Sequence, residues 1–282
     1  MTDNSIELGT PTRSDRGATT YDRPDPVNPV DAVDAKPFWK VPPLHKRDVR
    51  LLFAVYVGLT ALYTLVGLAI VKWWEPSAAG RADADVNRWF AEGRTDSRTR
   101  LADLGSAISN TETKIALVLV MLPLMLWMYR RWHDWALITV GLLLEVSVFG
   151  TSSKLVGRER PPVEQLDGAP THSWPSGHIA ASIVFYVGLA LIIFWNNRSR
   201  LSRGVAIAVA IAAPTIVTVS RLYLGMHYPT DVLGGIVLGF TSLAIVRALL
   251  LRSGTMVPAP IRADGSPSSS TTTPITTPIT TA

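Results

Sequence analysis

Long apolar runs separated by short polar breaks fill the middle of the chain. They cover 51–73, 115–128, 135–149, 179–195, 205–219 and 232–251, each bounded by charges, Pro or Gly. Crossing the hydrocarbon core as a helix takes roughly 20 residues, so the shorter runs need their polar flanks to reach the interfaces. The pattern predicts an all-α polytopic membrane protein with six transmembrane helices. The third run is short and carries Glu145, which reads either as a proton relay or as a buried polar residue facing another helix.

The flanks read differently. Residues 1–48 are polar, rich in Asp, Pro, Thr and Arg, with no apolar core of the kind a signal peptide needs, and 253–282 form a Ser/Thr/Pro tract. Both are expected to be disordered tails around a membrane domain at 49–252. Between the first two runs, 83–103 mixes charges with Val86, Trp89, Phe90, Leu101 and Leu104. It reads as an amphipathic helix on the outer surface, either gating lateral access of a lipid or capping the bundle in solvent.

Composition agrees with a membrane protein: of 282 residues 48% are hydrophobic and only 17% charged. There is no cysteine, which excludes disulfides and thiolate metal sites. The net charge of +5 is modest for a chain with 27 basic residues, and it argues against a nucleic-acid partner.

Basic residues set the orientation. Lys46, Arg47 and Arg50 precede the first run, Arg130 and Arg131 follow the second, Arg198, Arg200 and Arg203 follow the fourth, and Arg247 and Arg252 end the sixth. With six spans these clusters share one side, predicted to be cytoplasmic, with both termini there and the protein in the plasma membrane. Lys154, Arg158 and Arg160 break the rule on the other side. They fit either an anionic ligand or snorkelling to headgroups.

Two outward segments concentrate the chemistry: Trp174-Pro175-Ser176-Gly177-His178, and 220–231 with Ser220, Arg221, His227 and Asp231. Ionisable residues at the ends of apolar runs are costly unless they have a function. Pro175-Ser176-Gly177-His178 followed by Ser-Arg, five residues, His, three residues, Asp resembles the second and third motifs of the type 2 phosphatidic acid phosphatase (PAP2) superfamily. That family includes membrane lipid phosphatases and, more distantly, soluble vanadium-dependent haloperoxidases, for which six spans are unnecessary. Its first motif, Lys, six residues, Arg-Pro, is met by Arg160-Pro161, but Lys154 stands one residue late and Ser153 takes the lysine position. One residue turns a helical side chain by about 100°.

The resemblance implies a PAP2-type bundle and a lipid phosphate substrate handled at the bilayer, with no cofactor and no metal. It implies His227 as a nucleophile that forms a phosphohistidine, His178 as the acid for the leaving oxygen, and Arg160, Arg221, Ser176, Gly177 and Lys154 around the phosphate. Imidazole, with a pKa near 6.5, suits either histidine role. Asp231, one helical turn beyond His227, is expected to accept the Nδ1–H. The plainer alternatives are a helix cap with an interfacial histidine for His227 and Asp231, and an ordinary N-cap for Ser176. Arg158 reads as an interfacial anchor, His172 as a loop residue near substrate access, and His45 and His133 as cytoplasmic and non-catalytic. Polyprenyl pyrophosphate, phosphatidic acid and phosphatidylglycerol phosphate all fit. A membrane phosphotransferase with an alcohol acceptor and a non-catalytic lipid-binding protein are the alternatives.

Overall fold

The computed structural model describes residues 46–108, 111–129, 132–168 and 171–252, and among these there are helices and connections but no strand. His45, Arg130, Arg131 and nearly all of both expected tails lie outside the described residues.

Helix α1 (Lys46–Ala69) runs through a π-helical turn, Ile70–Trp74, to a pair of exposed tryptophans, Trp73 and Trp74. Two short helices follow, α2 (Ala78–Glu92) and α3 (Asp96–Ala107). Each starts on a hydroxyl cap: Ser77 Oγ accepts from the Gly80 N–H and Thr95 Oγ1 from the Arg98 N–H. Then come α4 (Thr111–Tyr129), α5 (Trp132–Val156), α6 (Gly177–Ser182), α7 (Gly188–Asn196), α8 (Arg200–Tyr223) and α9 (Pro229–Arg252). A π-helical turn, Ile183–Val187, joins α6 and α7 into one rod, Gly177–Asn196. Pro229 opens α9, where a missing N–H costs no helical bond.

Five helices are long and apolar enough to cross a membrane among the described residues: Lys46–Trp74, His133–Val156, Gly177–Asn196, Arg200–Tyr223 and Pro229–Arg252. The third expected run, with buried Glu145, is among them. α4 occupies the place of the second expected run, with Pro123 inside it, and is not one of the five. The expected 83–103 helix is two helices, broken at Gly93–Thr95.

α5 packs against α1 and α9, α6 against α9, and α8 against α7 and α3. Val148, Ile179, Val184, Phe185, Val217, Leu238 and Val246 form the centre of the core. Trp174, from the loop before α6, ties α1 to α9: its indole N–H donates to the Tyr63 carbonyl (2.9 Å), and the Tyr63 hydroxyl donates to the Gly234 carbonyl (3.2 Å). Outward-facing Phe53, Leu65, Trp127 and Leu201 are each at least two-thirds exposed or close to it, at 66%, 67%, 78% and 76%. So much apolar surface is stable only against lipid.

Two glycines end the helices that deliver the site. Gly157 (φ 66°) closes α5 and Gly225 (φ 73°) closes α8, both in the left-handed region that disfavours a side chain. After α8 the Met226 N–H reaches the Arg221 carbonyl and the Gly225 N–H the Leu222 carbonyl, the paired bonds of a Schellman stop. A Cβ on Gly225 would stand 2.8 Å from the Glu164 carbonyl oxygen, so this turn also needs the space.

Candidate active site

The helix ends described above, the connecting residues 157–168 and 171–176, and α2 meet around His227. The histidine is buried, and its Nδ1 lies 2.8 Å from the Ser173 carbonyl oxygen. A carbonyl can only accept, so Nδ1 carries the proton and the neutral ring keeps its lone pair on Nε2. Burial holds the imidazole below its usual pKa; Asp231 works against that, and Arg221 and Arg160 reinforce it. The neutral ring is therefore the resting form at neutral pH.

Asp231 is beside His227 but does not do what its spacing predicts. Its Oδ2 is 3.8 Å from Nδ1, too long for a hydrogen bond, and accepts instead from the Tyr228 N–H at 2.8 Å. Its Oδ1 is taken by Arg158 Nη1 at 2.5 Å. The expected Nδ1–Asp231 bond is thus replaced by the Ser173 carbonyl, because the stretch that carries Ser173 folds over the ring.

Arg158 is not an interfacial anchor. It is among the largest fully buried side chains, with Nε on Glu75 (2.8 Å), Nη1 on Thr230 Oγ1 (2.8 Å) and Asp231, Nη2 on Asp83 (3.4 Å), and its guanidinium 4.2 Å from the Tyr228 ring centroid. Burial disfavours its charge, but Asp231 and Glu75 outweigh that and raise its pKa. With three carboxylates around it, Arg158 has no charge to spare for an anion.

Arg160 and Arg221 are different. Arg160 donates to the carbonyls of Met226 (2.6 Å) and Thr171 (2.9 Å), and its pKa is lowered to about 10, first by burial and then by Arg221. Arg221 is fully buried and uses Nη1 on Ser106 Oγ (2.9 Å) and on Asp167. Its Nε and Nη2 are buried without a hydrogen-bond partner. Two close guanidiniums, one with unpaired donors, favour an anion between them.

Ser176 sits at the N-cap position of α6, yet its side chain caps nothing, and its buried Oγ also lacks a partner. The ordinary-cap alternative therefore fails for this serine. Gly177 opens α6 with no room for a side chain, since a Cβ would come 2.8 Å from the Phe149 ring. His178 follows it, half-buried.

Lys154 is not buried with this group. It is exposed on the last turn of α5, while Ser153, the preceding residue, is buried and donates from Oγ to the His172 carbonyl at 3.4 Å. His172 itself is exposed, and His133 is buried at the start of α5 with Nε2 3.3 Å from Asp134 Oδ1. Asp83 and Asn87 of α2 were missed by sequence reasoning. Both are buried against the His227 segment, and their four-residue spacing on a helix was the available signal.

Two apolar grooves flank this centre. One, about 380 Å³, lies between α1 and α9 and reaches Trp174 and Thr230; the other, about 390 Å³, lies between α3 and α8 and reaches Ser220. Helices of membrane-spanning length with buried charged side chains at their ends, Arg158, Arg221 and Asp231 among them, define a membrane-protein architecture.

Comparison with known proteins agrees. Residues 149–254 match the family model of the PAP2 superfamily. Phosphatidylglycerophosphatase B of Bacillus subtilis is 31% identical over 134 residues, 43% of this chain and 61% of that protein. The decaprenylphosphoryl-5-phosphoribose phosphatase of Mycobacterium tuberculosis is 29% identical over 42% of this chain and 62% of its own length. The chain thus spans about three-fifths of the length of these curated relatives. The crystal structure of a transmembrane PAP2-type phosphatidylglycerolphosphate phosphatase from Bacillus subtilis superposes with a TM-score of 0.59, at 22% identity, over 70% of this chain and 96% of that one. That likeness establishes the fold.

Proposed function

We propose that this chain is an integral membrane lipid phosphatase that hydrolyses a lipid phosphate or pyrophosphate through a phosphohistidine on His227. The observation that carries the proposal is the pairing of a buried His227, whose proton is held on Nδ1 by Ser173, with a buried Arg221 that keeps two donors unpaired.

Phosphate oxygens bind Arg221 Nε and Nη2, Arg160 and Ser176 Oγ, and the α6 start presents N–H groups toward them. Nε2 of His227 then attacks phosphorus as the bond to the leaving oxygen breaks. His178 donates a proton to that oxygen, giving a lipid alcohol from a monoester or a lipid monophosphate from a pyrophosphate. Water, deprotonated by His178 or a neighbour, next breaks the phosphorus–nitrogen bond, releasing inorganic phosphate and restoring the ring. The fixed arginines stabilise charge on the equatorial oxygens in both steps. Asp231 acts at 3.8 Å through its charge. No step requires a metal.

The apolar grooves beside the centre favour a substrate with a hydrocarbon chain, and polyprenyl pyrophosphate, phosphatidic acid and phosphatidylglycerol phosphate are the candidates. The similar phosphatases act, by their names, on a phosphatidylglycerophosphate and a decaprenylphosphoryl compound. With α4 counted as a sixth span, both termini lie in the cytoplasm and the site opens outward, supported by the basic residues at the opposite helix ends. Labelling Thr171→Cys, in a chain with no other cysteine, by an impermeant reagent on intact cells tests that orientation.

The test of function is phosphate release by purified protein in EDTA from each candidate lipid, with His227→Ala alongside. Release that survives EDTA, is blocked by vanadate and is lost in the variant is the expected result. Dependence on an added divalent metal, or equal release by His227→Ala, would reject it.

A further inference from the structure

We infer that α2, which lies outside the segment matching the family, is a positioning element for the nucleophile, acting through Asp83 and Asn87. The inference rests on the proposed phosphohistidine reading. The two residues are four apart and share one face of α2. Asn87 is fully buried and its Nδ2 donates to the His227 carbonyl at 2.9 Å. Asp83, also buried, accepts from the Thr230 N–H (3.1 Å) and the Thr230 hydroxyl (2.5 Å), and from Arg158 Nη2. α2 therefore grips the backbone on both sides of the turn that carries His227 into α9.

The Thr230 contact has a second basis. Amides in the first turn of a helix have no partner within it, and a carboxylate there also complements the helix dipole. Asp83 fills that role for α9 from another helix. Arg158 extends the link, joining Asp83 to Asp231, the residue whose Oδ2 holds the Tyr228 N–H next to His227.

The direction in which α2 faces supports a dedicated role. Val86 and Trp89 are exposed at 38% and 69%, while Asp83 and Asn87 are inside. Phe90 packs inward against Tyr223 as well, so the buried side of α2 joins an apolar contact to the two polar ones. Asp83 and Asn87 touch no reacting atom; they set where Nε2 stands, and a displacement of about 1 Å can cost roughly a hundredfold in rate.

The experiment compares full-length wild type, Asn87→Leu, Asp83→Asn and His227→Ala in detergent. Each is followed by kinetics on a lipid phosphate and by NMR of ¹⁵N-histidine-labelled protein, with the His227 signal assigned by its loss in His227→Ala. Asp83→Asn keeps an acceptor oxygen for Thr230 and guards against misfolding of Asn87→Leu. The expected result is a shifted His227 resonance and a kcat lowered about 10- to 100-fold, with KM within about threefold of wild type. An unmoved His227 resonance with wild-type kcat in both variants overturns the inference. So does a raised KM with kcat preserved, because α2 would then serve substrate binding or stability alone. If wild type releases no phosphate from any lipid but the variants still move the resonance, α2 does hold His227 and the hydrolase reading is what fails.

Discussion

Arg158 Nη1 and Asp231 Oδ1 meet at 2.5 Å, with neither side chain more than 1% exposed. Charges so far from water persist only when paired; Nη1 also reaches Thr230, and the remaining guanidinium nitrogens, Nε and Nη2, are spent on Glu75 and Asp83. This contact fixes the carboxylate that sits beside His227. It joins the end of α5 to the start of α9.

Removing one partner leaves uncompensated charge in the interior, which typically costs about 3–5 kcal/mol. Arg158→Leu should therefore lower the melting temperature sharply and abolish phosphate release. Arg158→Lys should rescue little, since one ammonium cannot reproduce three differently directed contacts. Tryptophan-fluorescence melts and turnover on the same preparations check both. A stable, active Arg158→Leu protein would reduce this network to packing.

The histidine chemistry sets a pH signature. Burial, opposed by Asp231 and reinforced by Arg221 and Arg160, places His227 below the usual 6.5. Attack needs the neutral ring, so kcat/KM should persist as pH falls past 6.5 and drop only lower, as the imidazolium forms. Asp231→Asn removes the carboxylate that favours the imidazolium, and its acid limb should lie lower still. Stability follows the same sign. Because the folded pKa is the lower one, the contribution of neutral His227 is complete above the unfolded value and is lost as pH falls through the folded value. A pH–rate profile and melts over the same range test this, and an acid limb above 6.5 would contradict it.

Arg221 should be the costliest arginine to replace conservatively. Its Nε and Nη2 are buried and unpartnered, while Nη1 is already committed to Ser106 and Asp167. A lysine offers a point charge without the planar pair of donors. Arg221→Lys should lower kcat/KM about 100-fold, the scale of losing one preorganised donor to the transition state, and weaken vanadate inhibition in parallel. Unchanged vanadate inhibition would place the phosphate elsewhere.

These expectations start from residues that were legible before the fold. Five of the six apolar runs coincide with helices long and apolar enough to cross a membrane, because span length and hydropathy are local properties. The four-residue spacing of His227 and Asp231 pointed to neighbours, and the two do stand side by side, although His227 lies in the turn just before α9 and not on the helix itself. What the spacing missed came from distant parts of the chain. Ser173 lies 54 positions from His227, and the carboxylates that hold Arg158 come from both sides of the sequence, Glu75 being 83 positions away. A loop arginine at a membrane surface and a buried one look alike until those partners fold over it. The inward polar face of α2 was similarly hidden, since mixed charges on a helix ordinarily mark its solvated side.

The displaced lysine of the first motif gives the sharpest contrast between spacing and geometry. Ser153 is 2% exposed and bonds to the loop over the site, whereas Lys154 is exposed on the adjoining position, about 100° around the helix. Lys154→Ala should then leave kcat/KM within about twofold, as for an ordinary surface change. Arg160→Ala should lower it about 100-fold, because it removes a cation from the recess and frees the Met226 and Thr171 carbonyls that it fastens. Steady-state kinetics on both variants decide the matter. A hundredfold loss in Lys154→Ala would mean that the last turn of α5 unwinds when substrate binds and delivers the lysine to the phosphate.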